Sequence, residues 1–363
     1  MLTKIGFKNY KLFKHKNELE IKPITILFGK NSSGKSSITK FLHVFFSYEN
    51  NISNEIEPQA LSLNFNNVEI GGEFRDLLYG RTATGFFELF LENGSKRNEI
   101  IYSNNSRNHF FPVIEKRLIK VEKFVKEMNQ NTYYLGPHRS IPKRTYSRQQ
   151  LTIDPEGKHA IQYLLRESER TDSESLIKLN KWFVKNFDGW GIKVNSENSP
   201  DYKIEILKNS ISVNLCDTGY GVAQILPIAI SCILPTNKEN LLLIYEQPEL
   251  HLHPSVHGEI AELFVQTTID DPKKRFVIET HSQNFILRIR KLIADGTISN
   301  KDVSLNFIDF DEEHTLSTIR NINIDKLGQV DYWPSGIFED TYQEVVELRK
   351  AQRESNYEVL GRT

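Results

Sequence analysis

Cysteine is nearly absent from this 363-residue chain, with Cys216 and Cys232 the only two. Two cysteines near the middle of so long a chain do not make a disulfide framework, so a reducing cytoplasm is expected. Net charge is nearly absent as well: 46 Lys and Arg stand against 47 Asp and Glu, for a formal net charge of -1. That balance excludes whole-chain attraction to nucleic acid or to a membrane surface, and any DNA contact must use a local basic patch. Long apolar runs are missing too. The most apolar stretch, Ile225 to Leu234, is broken by Pro227 and falls far short of the roughly 20 residues a spanning helix needs. Met1-Leu2-Thr3-Lys4 leads straight into alternating apolar residues, so no secretion signal is expected. There is no internal repeat and no low-complexity linker. The chain does have 39% hydrophobic residues, enough to bury the core of one large domain or of two lobes sharing a sheet.

The periodicities point to an α/β fold. Ile5 to Phe13 and Leu19 to Ile21 read as short strands, and Ile24-Thr25-Ile26-Leu27-Phe28 as a buried strand ending at a glycine, with a helix starting near Lys35. From Leu61 to Tyr102 short alternating runs are punctuated by Asn66-Asn67, Gly71-Gly72 and Asn93-Gly94, the pattern of a small antiparallel sheet. Ile114 to Met128 and His159 to Phe187 have helical spacing. Strands return from Tyr202 to Leu215, a helix starts at Gly221, and Leu241 to Tyr245 and Arg275 to Ile278 read as central strands on either side of a helix from Pro254. Such alternation implies a largely parallel sheet with helices on its faces. The expected divisions are an N-terminal lobe over 1–110, a mainly helical insertion over 111–205, a C-terminal lobe over 206–300, and a hairpin with a final helix over 301–363.

Gly29-Lys30-Asn31-Ser32-Ser33-Gly34-Lys35-Ser36 fits GxxxxGK[ST] and lies between an apolar strand and a helix start, where a phosphate-binding loop must be. Glycines let backbone N–H groups of the loop approach phosphate oxygens. Lys35 is expected at the terminal phosphates of ATP, and the hydroxyl of Ser36 on a magnesium ion. Leu241 to Tyr245 delivers Glu246 to the C-terminal edge of the sheet, which makes Glu246 the expected outer ligand of Mg2+. The strand Arg275 to Ile278 leads into Glu279-Thr280-His281-Ser282, and His281 is the candidate switch residue.

Phosphate loop, then Asp217-Thr218-Gly219-Tyr220-Gly221-Val222-Ala223-Gln224, then the acid strand, then Thr280-His281-Ser282 is an order that resembles ABC-type ATPases of the SMC and DNA-repair branch of the AAA class. Asn9-Tyr10-Lys11-Leu12-Phe13, Leu135-Gly136-Pro137-His138-Arg139, Pro248-Glu249-Leu250-His251-Leu252-His253-Pro254 and Trp333-Pro334-Ser335-Gly336 look like the OLD and Septu anti-phage ATPases. The resemblance touches nearly the whole chain. It implies a P-loop ABC ATPase head with a mixed, largely parallel central sheet, an antiparallel β-subdomain and a helical insertion. It places Lys11, Gly29, Lys30, Asn31, Ser33, Gly34, Lys35, Ser36 and Ser37 around ATP. It also implies a homodimer or higher homo-oligomer in which Gly219 and Gly221 of one copy complete the nucleotide site of another. A separately encoded effector, a nuclease or another protein, in anti-phage defence is the leading expectation, and a DNA-stimulated ATPase of repair or chromosome upkeep is the alternative.

Two positions depart from the family pattern. The residue after the magnesium acid is usually a glutamate that polarises the attacking water; here it is Gln247, a neutral amide that accepts no proton. Either Glu249 substitutes as the nearby carboxylate and hydrolysis is otherwise slow, or Gln247 orients water as a glutamine does in some GTPases. Ala223 stands where the signature usually has a serine, so the contact across the dimer is expected to rest on backbone N–H groups. His251, His253 and His257 lack the HExxH arrangement of a zinc site and are read as positioning residues. Asp309, Asp311, Glu312 and Glu313 are read as a hairpin turn between Val303–Ile308 and Thr315–Ile319; with about 70 residues left after Lys291, there is hardly room for a nuclease domain. Arg139, Lys143, Arg144 and Arg148 beside Tyr133, Tyr134 and Tyr146 are the best candidates for contact with DNA or a partner, although Arg139 has a second reading near nucleotide phosphate or the dimer seam. Lys116, Arg117, Lys120, Lys123 and Lys126 are read as an ordinary solvated helix face.

Overall fold

Strands that alternate apolar side chains to two buried faces need cover on both sides, and that requirement organises this chain. The computed structural model describes residues 1–49, 63–94, 96–104, 113–115, 122–149, 154–196, 201–236 and 238–334. Along the chain run β1 (Lys4–Lys8), β2 (Asn17–Glu20), β3 (Ile24–Phe28), α1 (Lys35–Thr39), α2 (Phe41–Glu49), β4 (Asn64–Phe65), β5 (Val68–Glu69), β6 (Gly85–Asn93), β7 (Lys96–Asn104) and β8 (Val113–Glu115). There follow α3 (Glu122–Gln130), β9 (Thr132–Leu135), α4 (Lys158–Ser168), α5 (Glu174–Asn186), β10 (Gly191–Asn195), β11 (Lys203–Lys208) and β12 (Ile211–Asn214). The last described elements are α6 (Tyr220–Ile233), β13 (Leu241–Glu246), α7 (Pro254–Asp270), β14 (Lys274–Glu279), α8 (Gln283–Ala294), β15 (Val303–Asp311) and β16 (Leu316–Ile322).

The central sheet has the order β16-β15-β3-β14-β13-β9, parallel throughout except for the edge strand β16. Its strands divide residue by residue between two cores. Ile24, Ile26 and Phe28 of β3, Leu243 and Tyr245 of β13, and Phe276 and Ile278 of β14 pack under α6, α7 and α8. Leu27, Leu242, Ile244 and Val277 face the other way, toward α1, α2 and a five-stranded antiparallel sheet of order β2-β1-β6-β7-β8. The parallel strands therefore all end at one edge, where ligands bind in open sheets of this kind.

Several boundaries differ from the sequence reading. The strand expected to reach Phe13 stops at Lys8, because Asn9 (φ 55°) and Lys11 (φ 50°) turn the chain left-handed. Where a helix is expected from Ile114 the chain forms the strand β8, and the described helix α3 spans Glu122–Gln130. His159 to Phe187 is two helices, separated where Asp172 adopts φ 56°. The span 111–205 contributes β9 to the central sheet, and its expected end at 205 falls inside β11. The hairpin around Glu312 and Glu313 is present with longer arms than expected, and the expected final helix lies outside the described residues. Among the described residues no helix is long and apolar enough to cross a membrane.

Candidate nucleotide site

The phosphate loop is shaped by backbone that side chains tolerate poorly. Gly29 has φ 154° and Gly34 has φ 98°, and a Cβ on Gly29 would lie 2.2 Å from the Ile308 carbonyl oxygen. Only glycine fits that approach of the loop to β15. The loop is anchored from the far side by Ser317, whose hydroxyl donates to the Ser33 carbonyl at 2.8 Å. Lys35 is buried, and its ammonium donates to the carbonyls of Gly29 at 3.1 Å and Lys30 at 2.6 Å, so the cation is held over the loop. Burial pushes its pKa down, while Glu279 and Glu246 oppose that shift.

Opposite the loop stand two acids. β13 and β14 pair in register so that Glu246 neighbours Glu279, and both are buried. The expectation joined Ser36 to Glu246, but the structure joins it to Glu279: the Ser36 hydroxyl lies 3.1 and 3.4 Å from the two carboxylate oxygens of Glu279. Glu246 instead accepts the hydroxyl of Thr39. Burial raises the pKa of Glu246. Burial, and after it the charge of Glu246, pushes Glu279 up to about 7. The signal for Glu279 was in the sequence, since it closes the apolar strand β14 just as Glu246 closes β13.

The loop and Glu279 face each other across a cleft of about 410 Å³. One wall is Asn31, Ser32, Gly34, Lys35, Ser36 and Ser37; the other is Gln247, Glu279 and His281, with Leu12 beside them. Lys11, expected at the nucleotide, lies elsewhere. Its ammonium donates to the Ile70 carbonyl at 2.5 Å, and its neighbour Leu12 reaches the cleft in its place. Lys30 is exposed and contributes its carbonyl to Lys35.

Gln247 adopts φ 46°, unusual for a residue with a Cβ, and its N–H donates to the Glu279 carbonyl at 2.8 Å. That hydrogen bond ties the two strand ends together, with Gln247 on the cleft wall. Glu249, the expected substitute base, is not on that wall. It is buried and accepts the Thr280 hydroxyl at 2.8 Å and the His281 N–H at 2.7 Å, which makes it the clamp of the loop that carries His281. Burial raises its pKa. His281 does reach the cleft; burial, and then Lys35, lower its pKa to about 4, so its imidazole is neutral at ordinary pH.

The glycine-rich signature opens α6 on the surface. Gly219 is the exposed residue before the helix, with ordinary φ of -59°, and a Cβ on it would meet nothing within 4 Å. Neither its backbone nor its packing within this chain requires a glycine. A Cβ on Gly221 would lie 3.0 Å from the His251 carbonyl, and the Tyr220 ring meets the His251 ring edge-on at 5.2 Å. His253 caps α7 by accepting the Ser255 N–H, and His257 bonds the Ser282 hydroxyl at 2.8 Å, so these histidines hold loops together. Among the described residues no group of three His, Cys, Asp or Glu is placed to hold a metal ion.

The basic cluster does not form one surface. Arg139 is buried and donates to the carbonyls of Glu246 at 3.1 Å and Gln247 at 3.0 Å, directly behind the cleft wall. Burial lowers its pKa to about 10. Arg144 makes a two-pronged pair with Asp217 at the start of the signature, at 3.0 and 2.7 Å, and Arg148 pairs with Glu169 at 2.8 Å. Lys143 is exposed. Lys116, Arg117 and Lys120 lie outside the described residues. Replacing Arg139 by Ala should leave both carbonyls without their donor, at about 1–3 kcal/mol each, and lower the melting temperature by several degrees; an unchanged melting curve would show that water supplies the bonds instead.

The chain belongs to the AAA ATPase domain family, whose model matches residues 1–189 and 149–286. A second family model, described as a protein of unknown function (DUF3696), matches residues 298–348. No curated protein matches. Among solved structures the chain is similar to the Smc head domain with an extended coiled coil bound to the C-terminal domain of ScpA from Pyrococcus furiosus: identity is 12% and TM-score 0.55, covering 96% of this chain and 99% of that one. It is also similar to an SmcHead bound to the C-winged helix domain of ScpA, at 11% identity and TM-score 0.54, covering 90% of this chain and 98% of that one. At such identities the likeness speaks to fold: this is an α/β ATPase head with a largely parallel central sheet.

Proposed function

We propose that this ATPase binds ATP with Mg2+ in the cleft and works as a dimeric switch, two copies closing head to tail so that Gly219 and Gly221 of each face the phosphate loop of the other. The observation that carries this reading is the convergence of Lys35, Ser36, Gln247, Glu279 and His281 on one cleft at the carboxyl edge of the parallel strands. Magnesium fits the donors present: two buried carboxylates side by side repel each other, and a hard divalent cation offsets that repulsion through oxygen ligands. When bound, the ion neutralises charge on the terminal phosphates. Lys35 adds a second cation there. The neutral His281 donates a hydrogen bond to the terminal phosphate, and Gln247 orients water without taking its proton.

Hydrolysis is accordingly slow, and the closed dimer acts as a timer. Supporting a role for the signature in trans, the exposed Gly219 has no task inside its own chain. The reader of the switch, on the resemblance in residues 9–13, 135–139, 248–254 and 333–336, is a separately encoded nuclease or similar effector in bacterial anti-phage defence. A partner protein fits the surface around Arg144 and Arg148 better than DNA does, since both charges are already paired within the chain. Light scattering tests the switch: ATP with Mg2+ should double the molar mass of the native chain and ADP should not, whereas the same mass in both contradicts it. Copurification with the products of neighbouring genes tests the effector.

A further inference from the structure

We propose that Arg144 is a positioning residue for the glycine-rich signature: its two-pronged pair with Asp217 ties the start of α6 to the segment that supports the cleft wall of the same chain. The inference rests on the dimeric reading above and names what holds Gly219 in place for the site of the mate.

The segment 139–146 follows β9 and is fixed at both ends. At its near end the buried Arg139 donates to the Glu246 and Gln247 carbonyls at 3.1 and 3.0 Å. Along its length the Ser140 N–H donates to the Glu156 carbonyl at 2.9 Å, and the Lys143 N–H donates to the Tyr146 hydroxyl at 3.0 Å. Tyr146 exchanges two backbone bonds of 2.8 Å with Tyr202. At the far end the Arg144 guanidinium reaches both carboxylate oxygens of Asp217, at 3.0 and 2.7 Å, and the Arg144 carbonyl accepts the Asn214 side-chain N–H at 2.9 Å. The Asn214 side-chain oxygen accepts the Cys216 N–H at 3.1 Å, and the Thr218 hydroxyl donates to the Leu215 carbonyl at 2.8 Å. Residues 214–218 are thus a closed turn that delivers Gly219.

The pair itself is exposed, with 67% of the Arg144 side chain and 45% of the Asp217 side chain open to solvent, and exposed ion pairs add little to stability. What a planar, two-pronged contact does supply is a fixed orientation. The signature has a second support in the loop after Gln247, where Tyr220 and Gly221 meet His251. Both supports lead back to Gln247, one through Asp217 and Arg139, the other through His251. A shift of the wall on nucleotide binding is thereby passed to Gly219, and so to the site that Gly219 completes on the mate.

Sedimentation of the full chain in ATP and Mg2+ tests this with Arg144→Ala, Asp217→Ala and the double variant. Each single variant should weaken ATP-dependent pairing by about 5- to 150-fold, the usual span of coupling between sites, with the melting temperature kept. The double variant should lose no more than either single one, because the two residues act through each other. Losses that add in the double variant would put Arg144 to work independently of Asp217 and overturn the assignment, as would native pairing in either single variant. Should Arg144→Ala lower the melting temperature, Arg144→Lys, which keeps the charge without the two-pronged geometry, must still pair more weakly than the native chain or the assignment falls. A native chain that stays single in ATP and Mg2+ overturns the dimeric reading itself, an outcome distinct from pairing that is indifferent to Arg144.

Discussion

Gln247→Glu is expected to raise single-turnover ATP hydrolysis by about 10²- to 10⁴-fold, the usual contribution of a positioned general base. The substitution changes an amide for a carboxylate of the same shape. It therefore keeps the left-handed backbone at φ 46° and the N–H bond to the Glu279 carbonyl, and alters only what the side chain can accept. Arg139, seated behind this segment on the carbonyls of Glu246 and Gln247, holds the peptide in place in both forms. Glu249 is placed away from the cleft wall, with one carboxylate oxygen bonded to Thr280 and His281, so the proposed reading gives the base role to the residue at position 247. Hydrolysis that does not accelerate would show that Gln247 already orients water well enough and that another step limits turnover.

Gly219→Arg should abolish ATP-dependent dimerisation while leaving the melting temperature and the affinity of the single chain for nucleotide unchanged. The structure gives a sharp basis for that separation. The position is exposed, its backbone is ordinary, and an added Cβ meets nothing of its own chain. An arginine there disturbs only what approaches from outside, and in a head-to-tail pair that is the phosphate loop of the mate. Gly221 is unsuitable for the same test, because the His251 carbonyl lies 3.0 Å from its Cβ position and the fold would respond as well. Sedimentation in ATP and Mg2+ reads the result; a Gly219→Arg chain that pairs as the native one does removes the signature from the interface.

Much of this was legible in the residues, and the reason is local chemistry. The phosphate loop is contiguous, its glycines impose their own backbone, and it follows a strand whose every residue is buried. β13 and β14 read as central strands because both faces are apolar. What escaped depended on register or on distant partners. Glu279 closes an apolar strand as Glu246 does, but its place opposite Ser36 depends on β14 settling beside β3 and β13 with Glu279 level with Glu246. Arg139 reads as one of four basic residues, with a second reading near nucleotide phosphate or the dimer seam, and only the turn after β9 carries it under the end of β13. The stop of β1 at Lys8 depends on left-handed Asn9 and Lys11, whose carbonyl and N–H partners lie near residues 77 to 79. No short window of sequence contains those contacts.

Calorimetric titration of ATP with Mg2+ into the native chain and into Lys35→Ala tests the central claim most directly. The ammonium now held on the Gly29 and Lys30 carbonyls is the cation assigned to the terminal phosphates. A saturable heat for the native chain and none for Lys35→Ala is the predicted result. Indistinguishable titrations of the two proteins would contradict it.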